Sequence, residues 1–103
     1  MPEVPVVENI HQKILAAIQA DGNKLEMGDW HSCDTTHCRG GWAIYLAGEA
    51  GRVLEAKTNS LFAAIQILKA SSPIRVSNPM FFVGNEESMK DIIRCAELEK
   101  NKA

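Results

Sequence analysis

The chain has 103 residues, of which 46% are hydrophobic and 23% charged, and its formal charge is −2. That length and balance fit one globular domain with its own core and argue against a disordered chain. The near-neutral charge excludes the broad basic surface of a nucleic-acid binder or a membrane-surface protein, and no apolar run reaches bilayer-spanning length.

The opening "MPEVPVVENI" has neither the basic stretch nor the long apolar core of a signal peptide. Cysteines 33, 38 and 95 make an odd number, which a secreted disulfide framework does not favour. The expectation is a soluble cytoplasmic protein whose thiols stay reduced or bind metal.

Residues 1–6 read as a Pro-containing arm. Val7, Ile10, Ile14, Ala17 and Ile18 then recur at helical spacing, and Asp21-Gly22 supplies a left-handed stop. His11 and Lys13 fall off the apolar stripe and are expected in solvent. Residues 23–34 show no sustained period and read as a loop. Thr35 and Thr36 offer N-cap hydroxyls to a second helix, "HCRGGWAIYLAG". After Arg39 that helix is apolar on nearly every side, so it is expected at the centre of the molecule. Gly40 and Gly41 would each cost about 1 kcal/mol against alanine in a helix interior, which implies a close approach by another group.

Gly48 and Gly51 break or bend this helix, and "RVLEAKT" adds another short helical piece. Thr58 or Asn59 caps the next helix, with Leu61, Ala64, Ile65 and Leu68 as its stripe, and Pro73 closes it. Residues 74–83, with β-branched residues and a turn at Asn78-Pro79, have room for one short irregular strand. The reading preferred is that Met80, Phe81 and Phe82 drop onto the core. Asn85 caps the last helix, Glu86 and Glu87 suit its first turn, and Met89, Ile92, Ile93 and Ala96 form its inner face. The fold class expected is all-α: a single domain over 1–103, with four or five short helices around a buried Gly/Trp helix.

The segment "WHSCDTTHCRGGWA" concentrates the chemistry and supports four readings. His31, Cys33, His37 and Cys38 are zinc-type ligands, with Cys95 available to complete a set. The spacing HxCxxxHC, however, is not the usual two separated pairs, and adjacent helical residues diverge by about 100°. Cys38 near a helix N-terminus, beside His37 and Arg39, is expected to be an acidified thiol, which allows a cysteine-dependent enzyme but supplies no oriented base. Thr35, Thr36, His37 and Arg39 around free helix N–H groups form a candidate anion site. Alternatively, Arg39 pairs internally with Asp34 or Asp29. In the fourth and preferred reading the segment is structural. Cys33 and Cys38 are then small apolar groups, or a disulfide where geometry allows, while Gly40 and Gly41 admit Trp30 and Trp42.

Cys33, Thr35, Cys38, Gly40, Gly41, Trp42, Ala43, Leu46, Ala47 and Gly48 together resemble a motif of small bacterial and phage or prophage proteins, C-x-T-x-x-C-x-[AG]-G-W-A-x-x-L-A-G. The later "NPMFFVGNEESMKDI" is similar to the ending of the phage-type members, so the resemblance runs from Trp30 onward. Asp34 stands where glycine is frequent, and Gly40 where alanine is. The positions of His31 and His37 vary more in that set than the cysteines do. The resemblance therefore implies a structural or thiol role for Cys33 and Cys38 rather than a histidine-dependent zinc site. It carries no activity. The function expected is a non-enzymatic accessory module acting on a protein partner, through the turn at Glu86 and Glu87 or the 74–83 loop. A zinc- or anion-binding domain over 31–39 is the alternative, and a Cys38 enzyme the third.

Overall fold

The computed structural model describes residues 3–101, so the first two residues of the arm lie outside it. Helix α1 (Ile10–Gln19) forms on the expected stripe and buries Ile10, Ile14 and Ile18. Asn9 enters it at φ 55°, a left-handed conformation that asparagine tolerates, and Gly22 turns the chain after it at φ 83°. Lys13 is exposed as expected, but His11 is fully buried. Its Nε2 meets the Ile74 carbonyl at 3.3 Å, and its backbone N–H donates to the Glu99 carboxylate. Burial, then the charge of Arg39, holds the His11 pKa below its ordinary value.

The segment read as a loop contains the first correction to the all-α expectation. Three very short strands, β1 (Lys24–Leu25), β2 (His31–Cys33) and β3 (Thr36–His37), form a sheet in the order β1-β3-β2. The central strand β3 runs parallel to β1 and antiparallel to β2. The molecule is thus mostly helical, with a small sheet at 24–37, and 74–83 holds no strand. Strands of two or three residues are too short to show alternation, and long-range pairing such as Lys24 N–H to the Thr35 carbonyl defines them instead.

Because Thr36 and His37 belong to β3, α2 starts later than expected, at Arg39, and runs to Leu46. Its cap is Cys38, whose Sγ accepts from the Gly41 N–H at 3.3 Å, and neither Thr35 nor Thr36 caps it. Arg39 through Ile44 are all buried, which confirms a central helix. The two glycines have the expected cause. A Cβ on Gly40 would strike the Trp30 ring, and one on Gly41 would strike the Trp30 carbonyl oxygen. Trp30 lies across the start of α2 and stacks on Phe81, while Trp42 donates its indole N–H to the Lys24 carbonyl at 2.9 Å. The sheet and α2 are locked together at this corner.

Gly48, at φ 68°, makes the joint to α3 (Gly48–Lys57). Asn59 then caps α4 (Ser60–Ser71) by accepting from the Phe62 N–H. The buried face of α4 is Ala63, Ala64, Ile67 and Leu68, rotated from the expected stripe, which leaves Leu61 and Ile65 only half-buried. A 3₁₀ turn (Asn78–Phe81) buries Phe81, but Phe82 is 65% exposed, against the expectation that it joins the core. Helix α5 (Asn85–Asn101) is capped at the backbone by the Gly84 carbonyl, while the Asn85 side chain accepts instead from the Met27 N–H. Its inner face holds Ser88, Ile92, Cys95, Ala96 and Glu99; Ile93 is exposed. Among the described residues no helix is long and apolar enough to cross a membrane.

Candidate functional site

The zinc-type residues separate into two groups. His31 and His37 face each other across the β2–β3 pair, Nδ1 to Nδ1 at 2.7 Å. Beyond them His31 Nε2 meets the Glu55 carboxylate at 2.8 Å, and His37 Nε2 donates to the Asp34 carbonyl at 3.0 Å. Ser60 donates to the same Glu55 oxygen from the start of α4. Trp42 and Tyr45 of α2 pack against the His37 ring. Burial lowers the His37 pKa, despite the Asp34 carbonyl, and the neighbouring His31 lowers it further.

Each ring nitrogen of this row has a partner. His37 Nε2–H donates to the Asp34 carbonyl, so its Nδ1 offers a lone pair toward His31, whose other nitrogen meets the Glu55 carboxylate.

The two cysteines of the motif lie elsewhere. Cys33 is exposed with Sγ 3.4 Å from the Thr35 hydroxyl, whereas Cys38 is buried as the α2 cap. All three cysteines are unbridged. Among the described residues, no three His, Cys, Asp or Glu side chains converge as ligands of one ion.

The expected acidification of Cys38 is reversed. Burial pushes its thiol up, outweighing the N–H groups at the helix start, and burial raises Cys95 likewise. Hydrogen bonds from the Thr35 and Thr36 hydroxyls instead bring exposed Cys33 down to about 7. At neutral pH iodoacetamide should alkylate Cys33 rapidly and leave Cys38 and Cys95 unmodified until the protein unfolds. Peptide mapping after a timed quench checks this; equal labelling of Cys38 would contradict it.

The candidate anion residues are dispersed as well. Thr35 is exposed, Thr36 and His37 sit in β3, and the Arg39 side chain is fully buried against α5. Its Nη1 donates to Asp91 and its Nη2 to Cys95 Sγ at 3.1 Å, so it pairs with neither Asp34 nor Asp29. Arg94 also grips Asp91, at 2.8 Å. Burial alone would raise the Asp91 pKa, but bonds from Arg39 and Arg94 hold it below the ordinary carboxylate range. Two donors of the α2 start are spent internally, the Arg39 N–H on Met27 Sδ and the Gly41 N–H on Cys38 Sγ. Sequence spacing gave no sign of the Arg39–Asp91 link, because its partners are 52 positions apart.

A feature outside the motif completes the inventory. Between α4 and the 72–81 segment lies a groove of about 540 Å³, lined by Ile65, Leu68, Pro73, Ile74, Val76 and Phe81. Lys69 and Arg75 stand at its edge, both exposed, and neither forms an ion pair among the described residues. Among the described residues no acidic side chain lines it. Compared with protein-family models, with curated proteins and with solved structures, the chain matches none of them.

Proposed function

We propose that this chain is a non-enzymatic accessory module, of the phage or prophage kind its motif resembles, that docks a segment of another protein. The carrying observation is the groove between α4 and residues 72–81, with an apolar floor and two exposed cations at its edge. An apolar side chain of the partner fills the floor, and a carboxylate beside it meets Lys69 or Arg75. The preferred partner is therefore an acidic, apolar segment, and charge complementarity selects it against basic ones. Half-buried Ile65 and the 74–83 loop, one of the two surfaces singled out in the sequence, provide the contact.

The motif residues support this reading by what they do instead of chemistry. Arg39, Cys38, Gly40, Gly41 and Trp42 are consumed in holding α2 against the sheet and α5. Work in the reducing cytoplasm suits three unbridged thiols, one of them exposed.

The test uses two amphipathic peptides identical in apolar residues, one carrying glutamates and the other lysines. The acidic peptide should bind, the basic one at least about tenfold more weakly, and the K69E/R75E variant should reverse the order. Equal affinity for both peptides, or no effect of the charge reversal, contradicts the reading.

A further inference from the structure

We infer that His31 and His37 form a binding site for a divalent transition-metal ion of the zinc class, held between their two Nδ1 atoms. The observation is the direction of the four ring nitrogens rather than the nearness of the rings. Metal-bound histidines characteristically donate their far N–H to a carboxylate or a backbone carbonyl, which sets the tautomer and aims the lone pair. Both halves of that pattern are present. His31 Nε2 is on the Glu55 carboxylate, His37 Nε2 is on the Asp34 carbonyl, and the two Nδ1 atoms face each other at 2.7 Å.

With an ion bound, both Nε2–H groups keep their acceptors and both Nδ1 lone pairs have a partner. Two nitrogens on a tetrahedral zinc lie about 3.3 Å apart, given bonds of about 2.0 Å. The pair must therefore open by about half an ångström from its present spacing. His31 is placed to supply that movement, since its side chain is 33% exposed and β2 is irregular between His31 and Cys33.

Only two side chains bind, because Glu55 is occupied with the far nitrogen of His31 and neither Cys33 nor Cys38 is aimed at the pair. The remaining coordination positions fall to water or to a ligand brought by another molecule.

Zinc titration of the chelator-treated protein, read by native mass spectrometry and by competition with a chromophoric chelator, tests this. Wild type should take up one Zn²⁺ per chain. H31Q, a change at an exposed position, should abolish uptake. E55Q should weaken it about 10- to 100-fold, as loss of a carboxylate behind a ligating histidine does. C33S should bind as wild type. Absence of uptake, uptake that survives in H31Q, full affinity in E55Q, or loss in C33S would each overturn the assignment.

Discussion

Replacing Asp91 with alanine should destabilise the protein by about 3–5 kcal/mol, the usual cost of leaving a buried charge without its partner. The Arg39 side chain is fully buried and depends on Asp91 for its one charged contact. Its remaining partner is the Cys95 sulfur, and its Nε already has none. The reverse change is milder: Arg39→Met leaves Asp91 with Arg94 and partial access to water. It also removes the unsatisfied nitrogen and fills the space with an unbranched apolar chain, so it should cost under about 2 kcal/mol. The R39M/D91A double variant should be more stable than D91A alone, and urea unfolding of the four proteins measures that coupling. Additive losses would show that the pair is not a unit.

Acid sensitivity follows from the same carboxylate. Its folded pKa is depressed below 3.8, so its contribution is fully present above 3.8 and is lost below that, as pH falls through the lower folded value. That part of the acid transition should disappear in D91A.

Gly41→Ala should be nearly as damaging, at about 3 kcal/mol or more, because the obstacle is backbone and cannot rotate away. The added methyl meets the Trp30 carbonyl oxygen and lies 3.0 Å from His37 Cβ. Relief requires β2 and α2 to separate, which strains the Cys38 N–H to Trp30 carbonyl bond and the packing of Trp30 over Gly40. Gly84→Ala is the matched control. It has open space around the new methyl and caps α5 through its backbone, so its cost should stay below about 1 kcal/mol. Thermal unfolding of the two variants makes the comparison; equal stability would show that the Trp30 corner yields.

What the sequence made legible was local. The α1 stripe, the Asn59 cap, the glycine joint at 48 and the acidic start of α5 are all governed by spacing and by backbone chemistry of neighbouring residues. The tight contact at Gly40 and Gly41 was also readable, since two glycines in an otherwise apolar helix demand a reason. The strands were hidden because each is two or three residues long and exists only through partners elsewhere in the chain. The roles of Arg39 and His11 were hidden for a related reason. A polar residue off the stripe reads as solvated, and the partners of these two side chains, Asp91 for Arg39 and the Ile74 carbonyl for His11, lie 52 and 63 positions away.

The spacing gathered four metal-type residues that the fold divides. Strand pairing brings His31 onto His37, while the cysteines turn away, one to solvent and one to the core. Glu55 carried no sequence signal, since a lone glutamate on a helix is most often solvated. The groove was equally invisible, because it depends on the rotation of α4 that leaves Ile65 half-covered.

The most direct test of the docking role is an amide NMR titration of the full chain with the acidic amphipathic peptide. Shift changes concentrated on Ile65, Leu68, Lys69 and residues 72–81, with the 31–39 segment unmoved, are the predicted result. Changes centred on residues 31–39 instead, or scattered over the surface without saturation, would contradict it.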